Sequence, residues 1–201
     1  FHGTDPAVAA QLLLDHHLAG VSITNANVVD EAQVRAMTSA INSASAQDGR
    51  DYPPIIGVDQ EGGSVAHLRG IATEFPAFTS AGAAIEASAD TGAMVVRQAA
   101  MATGLELRSF GFSWVFAPVA DVTIGAADPT IGSRSASTDP KVAAIAVAEA
   151  VRGFVESGVV STTKHFPGHG AALNDSHETL PVLDSSLAEL DVRDLPPFQS
   201  A

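Results

Sequence analysis

The sequence predicts an α/β fold built on parallel strands, as an open sheet or a barrel, and two observations carry that reading. Apolar runs of strand length alternate with helix-period segments along the whole chain, with no linker and no second composition regime. Polar residues then recur where these strands end, as Asp59-Gln60-Glu61, Asp121, Arg134 and Lys164-His165. Right-handed crossovers would carry all such ends to one face, the face on which barrel enzymes assemble their chemistry.

Each element has a local cause. Phe1 to Thr4 reads as the tail of a strand, and the chain stops just after an apparent helix, so a fragment truncated at both ends is expected. Asp5-Pro6 is a cap followed by a first-turn proline, and Val8, Leu12 and later apolar residues keep helical spacing until Gly20 supplies a stop. Residues 21–24 form a short strand, 25–27 a turn, and Val34, Met37 and Ile41 a second helix after the cap Asp30. Ile55 to Val58 is a continuous apolar run of the kind found in strands buried on both faces. Ala89 to about Ser109 is an alanine-rich helix, and residues 112–118 an aromatic strand leading to Asp121. Asp139-Pro140 repeats the cap-plus-proline start of a helix that Gly158 closes, and 159–163 is the next strand. A last helix, near Ser185 to Phe198, is ended by Pro196 and Pro197.

Composition limits the partners. A hydrophobic fraction of 46% with 16% charged residues over 201 positions supports one sizeable buried core. The 10 basic and 23 acidic residues leave a formal net charge of −13, which repels phosphate backbones and anionic lipid and argues against nucleic acid as a partner. A neutral small ligand is easier to accommodate. With no cysteine there is neither a disulfide framework nor a thiolate metal site, and the compartment stays open. No apolar run approaches the roughly 18 to 20 residues of a membrane-spanning helix.

The chemistry concentrates in KHFPGHG at 164–170 and the triplet Asp175-Ser176-His177. Lys164 and His165 are consecutive, so within a strand one would face the site and the other the structure, unless a bulge redirects them. A buried lysine is costly, which favours an ion pair or a ligand hydroxyl at Lys164. His169, between two glycines, is a candidate for loop stabilisation as much as for ligand contact. Asp59 directly follows a buried strand and suits ligand contact; Glu61 reads equally as a ligand contact or a solvated loop carboxylate. Arg134 lies in a long loop, where its fork of donors suits a hydroxyl or carboxylate, or a pair with Asp121 or Asp139. Asp175 and His177 are spaced so that the carboxylate can accept the imidazole N–H, fix its tautomer and raise its basicity, which suits general acid and base work. A zinc site from His165, His169, Asp175 and His177 is disfavoured, because Phe166-Pro167-Gly168 prevents the helix that would align the first two histidines.

Taken together, GVDQEGG at 57–63, FAPVADV at 116–122, IGSRS at 131–135, and KHFPGHG followed by the Asp-Ser-His triplet resemble glycoside hydrolase family 3, in its β-N-acetylglucosaminidase branch. The resemblance runs through essentially the whole chain in order. It implies a (β/α)8 TIM-type barrel, of which residues 1–201 would cover about the first five strand/helix units as the N-terminal barrel domain. It also implies a retaining mechanism on terminal β-linked N-acetylglucosamine, without metal or cofactor. Carried over by motif, Asp59, Arg134, Lys164 and His165 would bind sugar hydroxyls in the −1 subsite, and His177 with Asp175 would be the acid/base dyad. Glu61, His169 and Asp121 would be secondary contacts. The family's attacking aspartate has no match in this sequence, and a retaining mechanism requires it. A β-glucosidase, a phosphorylase and a sugar-binding fragment without turnover are the competing expectations.

Overall fold

Three aspartates start three of the longer helices. Asp5, Asp30 and Asp139 each accept a first-turn backbone N–H at 2.8 Å, from Ala7, Gln33 and Lys141, and such a cap contributes about 1 kcal/mol. In the computed structural model, which describes residues 1–174, 180 and 182–201, these helices are α1 (Pro6–His16), α2 (Glu31–Gln47) and α5 (Pro140–Ser157). The remaining elements in chain order are β1 (Gly20–Ile23), β2 (Ile55–Val58), β3 (Gln60–Gly62), β4 (Val65–Ala66), α3 (Thr79–Ala87), α4 (Ala89–Ser109), β5 (Trp114–Val115), β6 (Val160–Ser161), α6 (Leu187–Arg193) and α7 (Leu195–Ser200).

The main sheet has the order β1-β2-β5-β6, and every neighbouring pair is parallel. Its register decides which side chains share a face. Ile23, Val58 and Val115 lie in one row and are fully buried with Met37, Ile41 and Leu107 of the flanking helices. The neighbouring row, Ser22, Gly57, Trp114 and Val160, belongs to the opposite face. Gly57 is required there: a Cβ at this position would stand 2.7 Å from the Phe116 ring. Helices therefore cover one face, and the strand ends lead into the loops that carry the polar residues.

Several expectations shift. The helix begun at Asp5-Pro6 ends at His16, because His17 takes a left-handed conformation (φ 49) and Gly20 already belongs to β1. Phe1 to Thr4 carries no strand. The aromatic strand shortens to Trp114–Val115, and the strand expected over 159–163 to Val160–Ser161, with Lys164 bridging to Val119 beyond it. Pro196 and Pro197 do not end the last helix; they stand in the first turn of α7, where missing N–H groups cost nothing. Helix α3 and the antiparallel pair β3–β4 have no counterpart in the sequence reading. No helix among the described residues is long and apolar enough to cross a membrane.

Candidate active site

Beyond β2 the chain turns back on itself as β3 and β4, with Gly62, the last residue of β3, and Gly63 after it at positive φ (94 and 57). A Cβ on Gly62 would fall 2.6 Å from the Pro76 carbonyl oxygen, so only glycine lets the hairpin press against that segment. Asp59 precedes this hairpin and Glu61 lies within it. Opposite them, the loop after β5 is wound around Asp128, whose carboxylate accepts from the Thr123 hydroxyl and from the backbone N–H of Thr130 and Ile131 at 2.8, 3.0 and 2.8 Å. That winding delivers Arg134, at the end of a short 3-10 turn.

The two sides meet in one ion network. Arg134 donates to Glu61 from Nε at 2.9 Å and from Nη2 at 2.8 Å. Lys164 Nζ lies 2.6 Å from the same Glu61 carboxylate and 2.5 Å from Asp59 Oδ1. The hydrogen bonds to Glu61 raise the Arg134 pKa above its ordinary value, with Asp121 and Asp59 adding in the same direction, so the guanidinium stays charged. Glu61 is thus no solvated loop carboxylate: its side chain is 3% exposed and joins both cations. Arg134 pairs with it rather than with Asp121 or Asp139.

His165 and Asp121 form the second half of the site. His165 Nδ1 stands 2.6 Å from Asp121 Oδ2, while the backbone N–H groups of His165 and His169 reach Asp121 Oδ1 at 3.2 and 2.6 Å. His165 Nε2 faces Arg134 Nη2 at 3.5 Å, which joins the two halves. Lys164 and His165 do not alternate: both lie beyond the end of β6 at Ser161, and both side chains enter the site. The His169 ring packs edge-on to His165 at 6.1 Å, and its nitrogens are buried without a hydrogen-bond partner among the described residues. In the same loop, the largely exposed Phe166 meets Phe198 of α7 edge-on, with ring centroids 5.3 Å apart.

Exposure separates the residues that hold from those that reach outward. Asp121 and Glu61 have 0% and 3% of their side chains exposed, whereas Asp59 and His165 keep 30% and 39%. Glu61 also lines an apolar cavity of about 250 Å³, together with Phe75, Pro76, Phe78, Val96 and Phe154. Asp175 and His177 lie outside the described residues. The sequence reading gives Glu61 and Asp121 secondary places, and the structure puts each of them in contact with two of the other site residues or loops. The Asp59-Gln60-Glu61 spacing was the available signal, since residues two apart in an extended segment share a face.

The sequence profile of the glycosyl hydrolase family 3 N terminal domain matches residues 3–201. The chain belongs to glycosyl hydrolase family 3. Its parallel strands and outer helices are the barrel architecture of that family, here as a four-stranded, unclosed segment among the described residues. A β-hexosaminidase A from Pseudoalteromonas piscicida is 37% identical over 196 residues, which are 97% of this chain and 32% of that protein. A β-hexosaminidase from Stenotrophomonas maltophilia is 35% identical over 199 residues, 98% of this chain and 57% of the relative. The structure of a family 3 β-N-acetylglucosaminidase from Paenibacillus superposes with a TM-score of 0.91 at 35% identity, covering 100% of this chain and 37% of the solved one. The chain therefore spans between about a third and three fifths of the curated relatives it matches.

Proposed function

We propose that the full-length protein is a retaining, exo-acting β-N-acetylglucosaminidase that removes terminal β-linked N-acetylglucosamine from peptidoglycan- or chitin-derived glycans. The observation that supports this reading is the network joining Asp59, Arg134, Lys164 and His165 across three strand ends. It interleaves donors that carry charge with acceptors that carry charge, which suits the hydroxyls of a neutral sugar, each of which donates and accepts. The similar proteins named above are hexosaminidases, and one is a β-N-acetylglucosaminidase.

In this reading Asp59 and His165, the more exposed members, contact hydroxyls in the −1 subsite directly, and Lys164 and Arg134 contribute donors from behind them. A carboxylate supplied from outside these 201 residues bonds to the anomeric carbon while the bond to the leaving oxygen breaks, and His177 delivers its proton to that oxygen. In the second half neutral His177 takes a proton from water, the water oxygen bonds to the anomeric carbon, and the carboxylate departs. Asp175 orients His177 and stabilises its imidazolium form.

The test is hydrolysis of an aryl β-N-acetylglucosaminide by the full-length protein and its His177→Ala variant. A loss of roughly 10²- to 10⁴-fold is expected on replacing a general acid and base. Undiminished hydrolysis by the variant overturns the dyad role. Preference for a glucoside, or a requirement for phosphate, overturns the substrate and the hydrolytic assignment respectively.

A further inference from the structure

We propose that Asp121 is a positioning residue that sets the tautomer of His165, and through it the hydrogen-bonding sense of the sugar site. This rests on the functional reading above. An ionised carboxylate only accepts, and Asp121 is fully buried with two backbone N–H groups and the His165 Nδ1 atom converging on it. The contact from His165 Nδ1, at 2.6 Å, therefore requires the proton on Nδ1. In the neutral ring this leaves Nε2 with its lone pair, turned toward Arg134 and the open side of the site. His165 is thereby an acceptor for a sugar hydroxyl, complementary to the donors on Lys164 and Arg134.

The same carboxylate accepts from the His169 backbone, so one buried group orients both histidines of KHFPGHG. Its own backbone carbonyl is held by the Ser135 hydroxyl at 2.6 Å, one residue from Arg134. Asp121 touches no open space and acts only through its neighbours.

Asp121→Asn changes the chemistry while keeping the shape. The amide oxygen takes over the backbone N–H contacts, and the amide NH2 then faces His165 Nδ1. That donor needs the Nδ1 lone pair, so the ring proton moves to Nε2, where it opposes the Arg134 guanidinium and can no longer accept.

Nitrogen NMR of the histidine rings in the full-length protein, with the His165 signals assigned by their loss in His165→Ala, tests the proposal directly. The expected result is Nδ1 protonated in the wild type and Nε2 protonated in Asp121→Asn. With this shift, kcat/KM on an aryl β-N-acetylglucosaminide falls roughly 10- to 100-fold, and Asp121→Asn added to His165→Ala costs less than about twofold more. Protonation on Nε2 in the wild type overturns the proposal, even if Asp121→Asn fails to fold. An unchanged tautomer in Asp121→Asn overturns it, and so does an equal loss in both backgrounds, since a loop-holding role alone predicts that loss. If the wild type hydrolyses no N-acetylglucosaminide, the functional reading falls while the ring spectrum still decides for or against Asp121.

Discussion

Glu61 holds Arg134 through Nε at 2.9 Å and Nη2 at 2.8 Å, and the same carboxylate lies 2.6 Å from Lys164 Nζ. A nearly buried anion between two cations is an organising centre: remove it, and two charges in a poorly solvated place lose a shared partner. Lys164 then keeps Asp59, while Arg134 loses the carboxylate that holds it in the site.

Glu61→Ala is expected to lower stability by about 3 kcal/mol, the cost of leaving a largely buried partner charge uncompensated. Glu61→Gln keeps the volume but places an amide donor against donors, so it loses activity with a smaller stability change. Urea unfolding of both variants, alongside kcat/KM, separates the effects; a Glu61→Ala protein as stable as wild type contradicts the organising role.

Gly57 sits under Phe116 with no space for a side chain. Gly57→Ala is expected to destabilise by about 1 to 3 kcal/mol, as overpacking forces the ring or strand β2 to shift. A shifted denaturant midpoint with unchanged slope is the expected observation; an unaltered midpoint contradicts the close packing of this row.

At the opposite end of the sheet, Asp48 has its pKa lowered below the ordinary value of 3.8, chiefly by the hydrogen bond from Arg50 and secondarily by His17. A depressed folded-state value means that the contribution is present above the unfolded-state pKa and is lost as pH falls through the lower folded value. Thermal unfolding of wild type and Asp48→Asn, followed from about pH 7 down to about pH 2, should therefore give curves that differ at the neutral end and converge in acid. A gap between the two that widens in acid contradicts this sign.

Much of the scaffold was legible because its signals are local. The caps Asp5, Asp30 and Asp139, the prolines behind two of them, and the apolar run at Ile55 to Val58 each act within a turn or a strand. Alternation of strand and helix with glycine stops then leads to a parallel sheet. Asp59, Arg134, Lys164 and His165 were found as strand-end residues for the same reason. Helix α3 was missed because its stretch, TSAGAAIEA, has little apolar periodicity and no capping side chain. The prolines of α7 were misjudged because proline breaks a helix interior but suits a first turn, and only the position of Asp194 at the junction distinguishes the two.

The amino-acid sequence by itself determined the order of the main-sheet strands and most of their helices, the parallel architecture and the set of polar residues available where strands end, since hydrophobic period, caps and turns depend on neighbours a few positions apart. Only the tertiary structure decided what each of those residues does. Glu61 meets Arg134 across 73 positions and Asp59 meets Lys164 across 105, and Asp121 reaches His165 across 44. Whether a carboxylate is solvated, shared between two cations or sealed against an imidazole depends on the register of β2 beside β5 and β5 beside β6. No local pattern carries that register, because burial and ion pairing between distant segments arise only once the strands are side by side.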